Sequence, residues 1–393
     1  MKKLLKYLSP FAPDQSGACG VLYELGGIIV ICDAGGCAGN VCGFDEPRWF
    51  TKKSAVFSAG LRDMDAIMGR DDRLIEKMAS AQENIHSDFT AVVGTPVPAV
   101  IATDMKAIKK MAETRIGVPC ITVSCTGTRY YDEGEEEAWY ELFKEFAGKT
   151  EDIENAETAP EPTEEKEIVS GTETDSSRDN KSLRIGVIGA TPLETGYSTL
   201  EPLIKSCEQN NYKNVVIYSV GTGLKEIAEA PLCDKNLVVS YQGLKAAKYL
   251  EERFGVPYEV GFPFVPDAVV SAVVSKMRPE EKRILIIHSQ FAANELRETI
   301  RHFKGIDASS SDIKIDCATF FMQGDEYKEA DDFRFQNEDE LYELAAEERY
   351  DLIIGDSDIK PLLKAAGYRG GFIDYPHFAV SGRMNDDSVL IYT

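Results

Sequence analysis

The chain has 393 residues, enough for two or three domains of ordinary size, and 43% of them are hydrophobic, ample for buried cores. No apolar run approaches the roughly 18 residues of a membrane span, and the start MKKLLKYLSPF is too short and interrupted for a signal peptide, so a soluble, cytoplasmic protein without a membrane partner is expected. A formal charge of −23 would repel nucleic acid and anionic lipid at long range, which argues against both as partners.

In chain order, residues 1–150 read as a first α/β domain. Buried strands are expected at 27–32, 90–94 and 120–125, with a helix at 106–114. From 151 to 182 the composition turns to Glu, Asp, Thr, Ser and Pro with almost no aliphatic or aromatic content, and an acidic disordered linker is expected there. Beyond it, apolar runs recur, each ending in small residues and followed by a helical pattern: RIGVIGATP, NVVIYSVGTG, NLVVSY, RILIIHSQ, IKIDCATFF and DLIIGDSD. This alternation predicts parallel sheets covered by helices, among them helices at 244–254 and 292–303. A break at 279–282 divides a second α/β domain, 183–279, from a third, 280–393. The fold class is therefore α/β, with three Rossmann-like parallel-sheet units.

Nine cysteines, an odd number, read as metal ligands or buried thiols in a reducing compartment rather than as disulfides. Six fall within the first 125 residues. Cys37 follows the first strand in DAGGC, and Cys125 follows the 120–125 strand in VSCTG, so both sit at the edge where open parallel sheets place ligands. Gly35 and Gly36 would let the backbone turn tightly beside a bulky inorganic group. Cys19, in SGACGVLYELGG, can fold back over the same edge, and Cys32, Cys42 and Cys120 lie nearby. Thiolates are the ligands that iron–sulfur clusters require. The four-residue gaps in the pairs Cys37/Cys42 and Cys120/Cys125 also admit a tetrathiolate zinc site.

Other motifs carry less. AGKT at 147–150 imitates the end of a phosphate loop, but Phe143 occupies the first glycine position and no strand precedes it. GVIGA and SVGTG lack the spacing that brings a helix N-terminus onto a pyrophosphate. The acidic run at 132–137 reads as a solvated first turn of a helix. Tyr130 and Tyr131 fit either a shield beside Cys125 or core.

Taken together, the cysteine pattern resembles that of the nitrogenase component 1 superfamily, which includes nitrogenase subunits, their cofactor-assembly scaffolds and tetrapyrrole reductases. VFSAGLRDMDAIMG (56–69), VVGTPVPAVIATDMKAI (92–108) and YLEERFGVPY (249–258) are similar to family segments in the same order, and the likeness covers most of the chain outside the linker. The resemblance implies that Cys19, Cys37 and Cys125 ligate an iron–sulfur cluster, 4Fe-4S or P-cluster-like, at an interface with an identical or homologous subunit. Gly36 would line that cluster, and Cys42 or Cys32 could add a fourth thiolate. It further implies a cytoplasmic reductase subunit that receives electrons from a separate ATP-dependent iron–sulfur protein, its substrate unidentified. The alternative within the family is a scaffold or carrier that assembles a metal cofactor, and outside it a zinc-stabilised binding protein.

Two departures matter. Where nitrogenase catalytic subunits carry a cofactor-binding Cys, this chain has Val239 or Ser240, so a FeMo-type cofactor is not expected. Their second ligand, a C-terminal His, has a counterpart only in Tyr375-Pro376-His377, without the surrounding motif. His377 and Tyr375 are the candidate acids for protonating a substrate, and His288 is a weaker one.

Overall fold

The computed structural model describes residues 5–149, 183–306 and 312–382; the acidic segment 151–182 lies outside them. The first sheet contains β1 (Ile28–Ile31), β2 (Ala55–Ser58), β3 (Thr90–Val93) and β4 (Cys120–Val123). The second contains β5 (Ile185–Ile188), β6 (Val215–Ile217), β7 (Lys235–Val238) and β8 (Tyr258–Val260). The third contains β9 (Arg283–Ile287), β10 (Lys314–Thr319), β11 (Phe333–Arg334), β12 (Leu352–Gly355) and β13 (Gly371–Asp374). Every strand pairing is parallel. The expected three-unit α/β fold is present.

The strand orders are β2-β1-β3-β4, β6-β5-β7-β8 and β11-β10-β9-β12-β13. In each sheet the earliest strand lies inside, with its successor on one side and a later strand on the other. The chain direction of winding therefore reverses beside β1, β5 and β9. A crevice opens at the carboxyl ends of such strands, because the connections leave in opposite directions. These three crevices are where chemistry-bearing side chains collect below.

The helices follow from ordinary signals. Leu244–Phe254 ends at Gly255, whose positive φ of 74° closes the last turn. Met105–Ile116 starts where the Asp104 carboxylate accepts the N–H groups of Lys106 and Ala107, each at 3.0 Å. Gln290–Lys304 extends the expected 292–303 helix at both ends. Two helices of the first domain, Asp14–Leu22 and Tyr131–Phe146, approach through glycine: a Cβ on Gly17 would lie 2.0 Å from the Tyr131 carbonyl oxygen, and one on Gly134 would lie 1.8 Å from that of Asp14. No side chain fits at either position, so the pair of glycines sets the distance between these helices.

The domains are joined by buried polar struts. The Arg48 guanidinium, fully buried, donates to the Gly20 carbonyl and to the Ser219 carbonyl of the second domain, both at 2.7 Å, and is matched by Glu46 at 2.7 Å and Glu24 at 3.6 Å. Residues 11–13 form a short extended bridge between the third domain and the first: Phe11 pairs with Val380 and Pro13 with Tyr130, both antiparallel. Along it the Ala12 N–H donates to the Ala379 carbonyl, and the Ala12 carbonyl accepts from the Tyr131 N–H, each at 2.9 Å.

Candidate functional site

Two groups of side chains occupy the crevices. The first is the cysteine edge of the first sheet. Beyond β1, Gly35 adopts φ 120°, a conformation that side chains resist, and the chain turns into a short helix at Gly36–Asn40. Asp33 fixes this turn by accepting the Ala38 N–H at 2.8 Å and the Ser58 hydroxyl at 2.5 Å. Cys37 is half-buried, and a Cβ on Gly36 beside it would meet nothing within 4 Å. Burial and then the Asp33 charge raise the Cys37 thiol pKa, partly offset by a hydrogen bond from Thr95. Thr95 itself follows β3 and donates to the Cys32 carbonyl at 2.8 Å.

Cys19 belongs to the Asp14–Leu22 helix and is completely buried. Its pKa is well raised, first by burial and then by the proximity of Cys42. Cys42, half-buried, is pushed up to about 11 by burial and by Glu46. Cys125 lies past β4, buried, its pKa well raised by burial and Asp14, with a further contribution from Cys19. Cys19 thus lies electrostatically near both Cys42 and Cys125. Cys32 does not join them: it packs with Ile28, Val30 and Cys120 on the opposite face of the sheet. The pairing of Cys120 with Cys125 expected for a zinc site also fails, because the three residue steps of β4 alone separate their backbones by about 10 Å. Among the described residues, no group of three or more Cys, His, Asp or Glu is close enough to hold a metal ion within one chain.

Asp14, which motif reading passed over, organises this edge. Its carboxylate is fully buried and accepts the N–H groups of Thr126 at 2.7 Å and Gly127 at 2.8 Å, and Nε of Arg129 at 3.0 Å. The helix that carries Cys19 is thereby clamped to the loop that carries Cys125. The available signal was an Asp directly after Pro13, at the start of a helix rich in small residues.

The second group lies where the three domains meet. From the first domain, Tyr131 and Glu135 project from one helix face; from the second, Thr191 and Glu194 follow β5 and Gln242 follows β7; from the third, His288 and Ser289 follow β9, and Tyr375 and His377 follow β13. All are buried. The Tyr131 hydroxyl donates to Glu194 Oε2 at 2.6 Å and lies 3.4 Å from His377 Nε2. His377 Nδ1 accepts the Ala379 N–H at 3.2 Å, which leaves the neutral ring its proton on Nε2. His288 is fixed the same way: Nδ1 accepts the Ser289 N–H at 2.9 Å and Nε2 faces the Pro376 carbonyl at 3.0 Å. Burial lowers its pKa to about 4, so it is neutral at physiological pH.

The expected acids therefore do come together. The Tyr375 ring stacks on His288 with centroids 4.1 Å apart, and Phe321 stacks on His377 at 4.5 Å. Val239 and Ser240, the two residues expected where relatives carry a cofactor ligand, are both buried, and the Ser240 hydroxyl lies 3.3 Å from the Gly189 carbonyl. The acidic run at 132–137 departs from expectation: Asp132 and Glu135 are buried rather than solvated. Their three-residue spacing, in step with Tyr131, Ala138, Trp139 and Leu142, places them on the apolar face, and this was visible in the sequence.

An all-parallel three-sheet chain with a cysteine edge defines the class, and comparison with known proteins agrees. The chain belongs to the nitrogenase component 1 type oxidoreductase family, whose pattern matches residues 16–279 and so takes in the first two sheets. It is 24% identical over 240 residues to the nitrogenase iron-molybdenum cofactor biosynthesis protein NifE of Klebsiella pneumoniae, an alignment that covers 58% of this chain and 46% of that protein. The chain thus spans about half the length of that relative. Its fold resembles a solved structure of nitrogenase Cp1 at pH 6.5 with TM-score 0.66, at 11% identity over 98% of this chain and 89% of that one. Nitrogenase Cp1 at pH 5 gives TM-score 0.62 at 12% identity, over 100% and 88%. No helix among the described residues is long and apolar enough to cross a membrane.

Proposed function

We propose that this chain is an iron–sulfur redox subunit whose cluster is held at the cysteine edge by Cys19, Cys37 and Cys125, with Cys42 within reach as a fourth thiolate. The observation that carries the reading is the proximity of Cys19 to Cys42 and to Cys125, with the Cys19 helix and the Cys125 loop locked together by Asp14, and with Cys37 on the glycine turn beyond β1. The donor set fits in its chemistry: thiolate sulfur is the ligand iron–sulfur clusters require, and binding here would have to displace the protons of buried thiols. A bound cluster would supply one-electron transfer at this edge. Asp33 and Asp14 fix the loops, and Gly35 gives the turn beside Cys37.

The first sheet's unit also exposes apolar side chains, including Phe50 at 74%, Ile67 at 75% and Val100 at 84% exposure, which suits a subunit partner, identical or homologous. Membership of the family supports an ATP-dependent iron–sulfur protein as the electron donor. His377 and Tyr375 are the proposed acids for a substrate reached through the three-domain junction. The similarity to NifE favours a second reading, a scaffold that assembles a metal cofactor and hands it on. Multiple turnover with an ATP-driven donor distinguishes the first; stoichiometric release of a cluster to an apo-acceptor distinguishes the second.

The test is anaerobic purification with iron and zinc analysis and absorption spectra before and after dithionite, on wild type and Cys125→Ala. A brown protein that bleaches on reduction, and whose variant loses iron, is expected. Colourless protein after anaerobic reconstitution, with zinc or no metal, would overturn both readings.

A further inference from the structure

Two carboxyl groups without a basic partner meet at the centre of the molecule. Glu135 and Glu194 are both fully inaccessible, and the groups that hold them are neutral. Glu194 Oε2 accepts from the Tyr131 hydroxyl at 2.6 Å and from Gln242 Nε2 at 3.1 Å, while Oε1 accepts from the Ser289 hydroxyl. Glu135 Oε1 accepts from the Thr191 hydroxyl at 2.6 Å and Oε2 from Gln242 Nε2 at 2.8 Å. Gln242 therefore gives one amide hydrogen to each carboxyl and ties them into a pair. Two like charges this close, away from water, cannot both persist. Glu194, with three donors, is the better anion; Glu135, with two, is the better acid, and Thr191 can reverse its role and accept the carboxyl proton.

The pair also spans every domain boundary. Glu135 and Tyr131 come from the first domain, Thr191, Glu194 and Gln242 from the second, and Ser289 from the third. We propose that Glu135 and Glu194 share a single proton at neutral pH and that this proton latches the three domains together, so that the junction opens when the proton is lost.

The charged and titratable surroundings agree with a proton as the missing partner. On the same helix lie Tyr131 and Asp132. From the helix packed against it, the Asp14 carboxylate is already occupied by Thr126, Gly127 and Arg129. Lys245, in the helix after Gln242, turns outward to Glu136 at 4.0 Å. From the third domain come His288, held neutral; His377, whose Nε2 lies 3.4 Å from the Tyr131 hydroxyl; and Asp356, which accepts the His377 backbone N–H at 2.6 Å. No lysine or arginine of these elements compensates the pair. Burial raises the pKa of both carboxyls, and the charge of Glu194 adds to the rise at Glu135. A closed state that holds more protons than the open one is lost as pH rises.

The experiment uses the full chain, with or without bound iron, so that it stands apart from the cluster assignment. Hydrogen–deuterium exchange is followed in peptides covering 131–146, 190–197 and 286–296 from pH 6 to pH 9, corrected for intrinsic base catalysis. Infrared spectra at neutral pH report the carboxyl C=O band of a buried protonated acid. Wild type should show that band and an opening that grows by about tenfold per pH unit above the carboxyl's folded pKa. Glu135→Gln, isosteric and permanently neutral, should lose the band and the pH-dependent opening; Glu136→Gln on the same helix should keep both. No acid band in wild type, or an unchanged pH-dependent opening in Glu135→Gln, would overturn the proposal.

Discussion

The cysteine edge and the three-domain junction are built on the same topological feature, the carboxyl ends of parallel strands beside a reversal of winding, yet different residues follow their strands. At the edge, a glycine turn and short helices leave the thiols near an apolar surface, and the carboxylates there, Asp14 and Asp33, are satisfied by backbone N–H groups. At the junction, the strands run into Thr191, Ser240 and Ser289, whose small hydroxyls let the domains close over carboxyls. On the proposed function the first crevice takes a partner; the second is completed by the remaining domains. The residues just past each strand decide which outcome follows.

That contrast can be broken or sharpened by substitution. The largest effect belongs to the edge: Cys37→Ala should abolish nearly all iron binding, whereas Cys207→Ala and Cys317→Ala, buried elsewhere, should retain it, as measured by iron content after anaerobic reconstitution. Equal loss in all three would erase the distinction between edge and core thiols. Next comes the strut between the first and second domains. Arg48→Met leaves Glu46 buried without its cation, while Glu24 keeps Lys52 at 2.7 Å, and should cost about 3–5 kcal/mol in urea denaturation.

At the junction, Asp132 is buried, accepts the Met322 N–H at 2.5 Å, and has its pKa raised to about 6 by burial. A folded pKa above the unfolded one gives stability at low pH that is lost as pH rises, here between about pH 4 and pH 6. His288 acts in the opposite sense: lowered to about 4, it gives stability at neutral pH that is lost as pH falls from 6.5 towards 4. Relative to wild type, Asp132→Asn should therefore gain stability, by about 3 kcal/mol, between pH 4 and pH 7 in paired denaturation curves. A flat difference would show that Asp132 titrates normally. The smallest effect is expected at Ser240→Ala, where one long hydrogen bond at 3.3 Å is lost for no more than about 1 kcal/mol.

Much of the fold was legible because buried parallel strands are continuous apolar runs: β1, β3, β5, β9 and β12 all lie inside segments read as strands. β2 was not, since half of its four residues are exposed and it stands at a sheet edge. Nor was the helix around Cys19, whose glycines and small residues give it little intrinsic preference; its close packing against Gly134 supports it instead. At the cysteine edge the thiols could be read from strand ends, but Asp14 acts across more than a hundred residues on Thr126 and Gly127. The junction was illegible for the same reason. Glu135 and Gln242 meet only because separate sheets point their carboxyl ends at one another, and no local pattern records that.

The bridge at residues 11–13 sets a timetable for synthesis. Its two flanking partners, Tyr130 and Val380, are made at widely different moments, and translation delivers the earlier domain first. When the first sheet assembles at the ribosome, the Ala12 N–H still awaits the Ala379 carbonyl. The helix bearing Cys19 starts immediately after this bridge, so its final anchorage comes with almost the last residues described. The cysteine edge consequently gains this anchorage only after residue 379 has been made, and a nascent chain stalled before it would carry all of its thiols on an unfinished mount.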